Sequence, residues 1–213
     1  QSRGLGDVYK RQLLMKTIGI TGGVGAGKSA VLEYLADNYN CDIIMTDDVA
    51  KGLYTKGSKT YEMMIALIGE DIVDETGEID KKKLADIIFS NANKRMAVNS
   101  IVHPAVKQEV ITRITNNKIA GRLDYTFVES ALLLTEHYDV FCDEVWYIDT
   151  SEDIRRRRLK ESRGYSDEKI DNILKSQQAL ENIKDKCSYC IDNNKDLEYT
   201  CLLYTSPSPR DCS

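Results

Sequence analysis

The residues Gly22-Gly23-Val24-Gly25-Ala26-Gly27-Lys28-Ser29 fit the spacing G-x-x-x-x-G-K-[ST]. This arrangement suits a polyphosphate. Glycines let the backbone curl so that successive N–H groups point inward at an anion. A helix that follows adds the positive end of its dipole. Lys28 then reaches the β- and γ-phosphates of a nucleoside triphosphate, and the Ser29 hydroxyl is placed to ligate Mg²⁺. The stretch from Gly23 through Ala30 is therefore the expected phosphate cradle. A chance match in a chain this long is on the order of one in a hundred. The same stretch also reads as a loose G-x-G-x-x-A from Gly25 to Ala30, with Asp47 about 20 residues on, as in a dinucleotide site. Lys28 and Ser29 decide against that reading, because only a nucleotide–Mg²⁺ site uses both.

Phosphoryl transfer also needs a group that orients the acceptor. Asp47 follows the apolar run Ile43-Ile44-Met45 and is expected at the carboxyl end of a sheet beside the phosphate loop. A carboxylate there can take a proton from an attacking hydroxyl. Asp48 is its rival and suits the first turn of a helix better, whereas Asp42 reads as a surface residue. Positive charge stands further on, in Arg155-Arg156-Arg157-Arg158-Leu159-Lys160-Glu161-Ser162-Arg163. At helical spacing Arg155, Arg158 and Ser162 share one face, and Arg156 and Arg163 another. Such a helix can be a lid whose arginines clamp phosphates. The bland alternative is a solvated charged helix, and it suits Arg156 and Arg157 better than a phosphate role does.

These residues need a frame. Strands are expected at Thr17–Thr21, Asp42–Met45, Tyr125–Glu129, Glu144–Asp149 and Ser188–Asp192. Helices are expected at about Lys28–Asn38, Thr60–Ile68, Lys81–Phe89, Asn93–Thr115, Glu152–Glu161 and Asp167–Ser176. Near-continuous apolar strands alternating with helices imply an α/β fold with a parallel sheet covered on both faces. Between the second and third strands lies far more chain than one crossover needs, which reads as an inserted helical subdomain.

The chain has 213 residues, a formal net charge of −5 and 30% charged residues. That suits one α/β domain and argues against a nucleic-acid binder. No apolar run approaches the ~20 residues of a membrane span, and Leu13-Leu14-Met15 is too short for a signal core. Six cysteines without an export signal read as reduced cytosolic thiols, hence a cytoplasmic protein. Cys187-Ser188-Tyr189-Cys190 has the spacing of half a zinc site, but no second pair matches it, and both residues suit an alternating strand. Residues 1–14 and 200–213 lack the patterning of the rest and read as non-native extensions; without them the remainder is more acidic.

A GTP-dependent switch would carry N-K-x-D. Asn93-Lys94-Arg95-Met96 and Asn194-Lys195-Asp196-Leu197 both lack the last acid, and Asp74-Glu75-Thr76-Gly77 reads as a solvated turn. A small-molecule kinase fits the size and residues best. A kinase for another nucleoside or nucleotide, or a regulatory nucleotide-binding protein with slow hydrolysis, remains the alternative.

Over Met15–Tyr199 the pattern resembles the dephospho-CoA kinase family. The resemblance rests on Ile20 through Ser29, then Thr46-Asp47-Asp48-Val49-Ala50-Lys51, then Gly77-Glu78-Ile79-Asp80-Lys81 with Leu84 and Phe89. Ile101-Val102-His103-Pro104, Glu129-Ser130-Ala131-Leu132-Leu133-Leu134, Arg158-Leu159, Gln177 and Ile191-Asp192-Asn193 follow in order. It implies a three-layer P-loop kinase fold with a five-stranded parallel sheet and transfer of the ATP γ-phosphate to the ribose 3′-hydroxyl of dephospho-CoA. ATP and dephospho-CoA would be the only partners, with no nucleic acid, membrane or obligate protein. The domain of residues 15–199 would comprise a core of 15–58 and 120–199, a helical CoA-binding subdomain of about 59–119, and a lid of about 152–170. Asp47 matches the family's base and Arg158 its lid arginine, while Gln177 and Asn193 match positions on the adenine side. His103, before Pro104, is expected to fix a helix start or line the substrate cleft. The sequence departs from the family pattern at Met45, Lys81, Ala131 and Thr135, and the family's final helix is not matched beyond Tyr199.

Overall fold

The computed structural model describes residues 15–177 and 183–195. The expectations for 1–14 and 200–213, and Cys201 and Cys212, lie outside the described residues. The described residues form two compact units, one of 15–43 with 117–177 and 183–195, the other of Ile44–Asn116.

The first unit is built on β1 (Lys16–Thr21), β3 (Tyr125–Glu129), β4 (Glu144–Asp149) and β5 (Tyr189–Asp192). With β2 (Cys41–Met45) the sheet runs in the order β2-β3-β1-β4-β5. The registers of β1 with β3, β1 with β4 and β4 with β5 are all parallel. β1 is central, which is why Ile18 and Ile20 are buried and Thr17 and Thr21 are buried beside them. The core joins Ile18, Ile20, Phe127, Ile148 and Ile191 of the sheet to Val31, Leu32 and Leu35 of α1 (Lys28–Asn38). Helices α6 (Glu152–Arg163) and α7 (Asp167–Ser176) share a small core of Leu159, Ile170 and Leu174, with Val24 and Tyr165 packed on it. Gly164 ends α6 with φ of 61°, and the Ser166 hydroxyl caps α7 by accepting from the Lys169 amide.

The register sets the site's frame. Ile20 stands opposite Glu129, and Asp149 opposite Asp192. The segments leaving β1, β3, β4 and β5 therefore emerge along one edge, at the carboxyl ends of the strands. Ligands of open parallel sheets bind at that edge.

The second unit is helical: α2 (Thr46–Leu53), α3 (Lys59–Ile68), α4 (Lys81–Ser90) and most of α5 (Ala92–Ala120). It spans Ile44–Asn116, where the sequence suggested a helical subdomain of about 59–119. Ser58 caps α3, and Asp80 caps α4 by accepting from the Lys82 and Lys83 amides. The buried residues of α5 are Val98, Val102, Val106, Val110 and Ile114, one stripe at a spacing of four. Of the two roles expected of His103, a helix start or a place in the substrate cleft, the helix start is absent, since His103 and Pro104 both lie inside α5, as the helix expected over Asn93–Thr115 has them. Pro104 is exposed, so the carbonyl it orphans at Ser100 lies on the wetted face. The expected turn at Asp74 is present: its carboxylate accepts from the amides of Thr76 and Glu78 and from the Thr76 hydroxyl.

No helix among the described residues is long and apolar enough to cross a membrane.

Candidate active site

The phosphate loop follows β1 directly and ends at the first turn of α1. Gly27 is the N-cap, with φ of 89°. A Cβ there would be strained and would run into the Asn193 carboxamide, so only glycine fits. The Ala26 amide donates to Gly23 O at 3.1 Å, which sets a turn inside the loop. Lys28 lies back along the loop, its Nζ donating to Gly22 O at 2.9 Å and Gly23 O at 3.4 Å. Glu129 Oε1 stands 3.6 Å from the same ammonium, and both side chains are nearly buried. A buried ion pair of this kind holds the lysine in place more than it stabilises the fold. Ser29 is exposed, and Ala30 follows it in the first turn of α1.

The back of the loop is held by donors from three other segments. Ala26 O accepts from Asn193 Nδ2 at 2.7 Å, Thr150 Oγ1 at 2.9 Å and Arg158 Nη1 at 3.3 Å. Arg158 Nη2 also donates to Asn193 O at 3.1 Å. Burial and the charge of neighbouring Arg157 lower the Arg158 pKa, though a guanidinium stays protonated in proteins. One turn earlier, Arg155 Nε donates to Val24 O at 2.9 Å, and Nη2 to Gln177 Oε1 at 2.8 Å.

The structure thus brings Gly23 through Ala30, Arg158, Gln177 and Asn193 together around one loop. The face expected to carry Arg155 and Arg158 is the one that meets it. Arg156 lies elsewhere, bonded to Glu152 and Asp171, and Arg157 is exposed. Asp47 belongs to the helical unit, exposed in the first turn of α2. Asp48 pairs with Lys51, which raises the lysine's pKa, whereas Asp47 makes no hydrogen bond or ion pair among the described residues. The charge of Asp47, after burial, also pushes the Tyr54 phenol up. Asp42 is half-buried rather than a surface residue, accepting from Asn117 Nδ2 at 2.8 Å.

Two residues at the loop were not singled out as site residues by sequence, Glu129 and Thr150; Arg155 was placed only on the face it shares with Arg158. The signal for Glu129 was present, an acid closing an apolar strand. Cys187 lies before β5 rather than on it, and neither Cys187 nor Cys190 forms a disulfide among the described residues. Burial, then the charge of Cys190, pushes the Cys187 thiol up to about 11. No group of three or more potential metal ligands among His, Cys, Asp and Glu occurs among the described residues.

A parallel sheet with its first strand central, a glycine loop, a buried Lys–Glu pair and an arginine-bearing helical pair define a P-loop kinase. The dephospho-CoA kinase family model matches residues 16–198. The chain is 33% identical over 187 residues to dephospho-CoA kinase of Streptococcus mutans, covering 88% of this chain and 93% of that one. It is 31% identical over 185 residues to the enzyme of Oceanobacillus iheyensis, covering 87% and 92%. The solved dephospho-CoA kinase of Campylobacter jejuni shares the fold, with a TM-score of 0.65 at 19% identity over 87% of this chain and 92% of that one. The chain belongs to the dephospho-CoA kinase family.

Proposed function

We propose that this chain transfers the γ-phosphate of ATP to the ribose 3′-hydroxyl of dephospho-CoA, giving CoA and ADP, the last step of coenzyme A synthesis. The family match across 16–198, on a chain that keeps the whole phosphate loop, carries this reading. The loop amides and the α1 dipole hold the polyphosphate. Lys28, held between the loop carbonyls and Glu129, supplies charge where the transferring group becomes more negative. Asp47 accepts the proton of the attacking hydroxyl. Its freedom from the pairing that occupies Asp48 favours it over its neighbour. Arg158 adds positive charge from α6, and Gln177 and Asn193 line the nucleotide side.

The donor set fits Mg²⁺. Ser29 offers an exposed hydroxyl, and Glu129 a carboxylate at the end of β3, both hard oxygen ligands. Mg²⁺ needs few protein ligands, because phosphates and water fill the rest of its shell. When bound, it neutralises phosphate charge. ATP as donor, and reduced thiols at Cys41, Cys142, Cys187 and Cys190, suit a cytoplasmic enzyme.

The test is ADP release with dephospho-CoA, adenosine, cytidine or nucleoside monophosphates as acceptor. Release is expected only with dephospho-CoA. Hydrolysis indifferent to the acceptor would overturn the assignment.

A further inference from the structure

Arg155 has no part in the transfer outlined above, yet it has the tightest hold on the loop of any arginine. Its guanidinium closes a ring of hydrogen bonds around one residue. Nε donates to Val24 O at 2.9 Å, and Nη2 to Gln177 Oε1 at 2.8 Å. The same carboxamide oxygen accepts from the Val24 amide at 2.9 Å. Both backbone groups of Val24 are therefore held, by two side chains that also hold each other. The Val24 side chain packs on the Leu159, Ile170 and Leu174 core of α6 and α7. Gly23 makes room for this: a Cβ there would stand 2.5 Å from the guanidinium Cζ.

The consequence falls on the loop's inner donors. The Val24 amide is committed to Gln177, and the Ala26 amide to Gly23 O. The amides of Gly25, Gly27 and Ser29 bond no group among the described residues. Two of the loop's amides, those of Val24 and Ala26, are thus committed to the protein, and those of Gly25, Gly27 and Ser29 remain for an anion. A loop without the Arg155–Gln177 clasp would sample other turns, and nucleotide affinity would fall by the fraction of time spent in them.

We infer that Arg155 is a positioning residue for nucleotide binding: with Gln177 it fixes the Val24 peptide, so the phosphate loop is in its anion-binding shape before ATP arrives. This rests on the reading that the loop binds nucleotide phosphates. The role needs a guanidinium. Two N–H groups in one plane reach two oxygens together, and a lysine ammonium lacks that fork.

The experiment is equilibrium titration of ATP with Mg²⁺, without acceptor, on wild type, Arg155→Ala, Arg155→Lys and Arg157→Ala. Steady-state kinetics with dephospho-CoA are run in parallel. Both Arg155 variants are expected to bind ATP about tenfold more weakly, the lower range for losing a hydrogen bond to a charged group. Their KM for ATP should rise in step, while kcat falls by less than about threefold, the signature of lost binding rather than lost chemistry. Arg157→Ala, exposed on the same helix, should match wild type. Arg155→Ala combined with Gln177→Ala should be no weaker than the worse single variant, since the two act as one clasp. Arg155→Lys keeps the charge and the stem, so it carries the test if Arg155→Ala folds poorly. Wild-type affinity in Arg155→Lys, or a fall in kcat at unchanged affinity, would overturn the positioning role. A wild-type chain that binds no ATP would overturn the nucleotide reading itself, and the role with it.

Discussion

Asn193→Asp exchanges one donor for an acceptor with almost no change of size, at a buried point of the site. Asn193 is 3% exposed, and its Nδ2 donates to Ala26 O at 2.7 Å. An aspartate would set a carboxylate oxygen against a carbonyl oxygen there. The lost hydrogen bond is worth about 1 kcal/mol, and two buried acceptors facing each other add about 1–3 kcal/mol. A destabilisation of roughly 2–4 kcal/mol lowers the melting temperature by about 10 °C in a domain of this size. Asn193→Ala removes the donor without adding an acceptor. Ala26 O keeps Thr150 and Arg158, so this change should cost only about 1 kcal/mol. The two variants also differ in pH dependence. A protonated aspartate can donate to Ala26 O, so its folded pKa lies above the ordinary carboxylate value. The folded variant then binds more protons than the unfolded chain, and its stability falls as pH rises through that window. Its deficit should shrink on acidification, whereas the Asn193→Ala deficit should not. Urea unfolding at neutral and mildly acidic pH measures both. If Asn193→Asp is as stable as wild type at neutral pH, or its deficit ignores pH, the donor to Ala26 O is not what holds the loop.

Two further outcomes follow from the same geometry. Asp47→Asn should retain ATP affinity while phosphoryl transfer to dephospho-CoA falls at least ~10²-fold, the lower range for a positioned base; single-turnover rates beside ATP titration separate the two, and an unimpaired variant would remove Asp47 from the chemistry. Burial, then the charges of Asp139 and Asp143, pushes the Cys142 thiol up to about 12. Alkylation of Cys142 at pH 8 should therefore run about 10³-fold slower than at an ordinary thiol, because the thiolate is the reactive form. Mass spectrometry along a urea series should show its labelling rise with unfolding, and rapid labelling of the native chain would refute the burial.

The elements were legible where period and boundary signals agree. β3, β4, α1 and α7 begin and end at the expected residues, since each strand is an apolar run and each helix a periodic one, bounded by turn or capping residues. α2 was not expected, because it follows β2 with no intervening glycine or proline. Its sign was nonetheless present: Asp47 and Asp48 are both first-turn acids. Asp48 suited a first turn on sequence, but no helix was placed after it. His103-Pro104 carried two readings, a helix start and the interior of the helix expected over Asn93–Thr115, and the second is the one found. A proline usually marks a boundary, but α5 is long enough, and Pro104 exposed enough, to absorb one missing bond. Within the site, the glycine loop, Lys28 and the Arg155–Arg158 face could all be read from spacing. What the arginines bond could not, because their partners are main-chain carbonyls, which every residue has.

Those carbonyls explain why an arginine helix lies behind a phosphate loop. A loop whose amides converge on an anion must turn its carbonyls outward, and in a buried setting those oxygens need donors. Asn193, Thr150 and the two arginines supply them, but not equally. Arg155 is committed at 2.8 and 2.9 Å to partners that brace each other. Arg158 holds its two carbonyls at 3.3 and 3.1 Å, and one of them, Ala26 O, already takes shorter bonds from Asn193 and Thr150. A carbonyl has two lone pairs, so the third and longest donor contributes least. Arg158 therefore costs the loop least to redirect, and a phosphate oxygen offers its guanidinium a stronger, charge-assisted bond than a carbonyl does. One helix thus carries an arginine that holds the loop tightly and another that holds it less tightly.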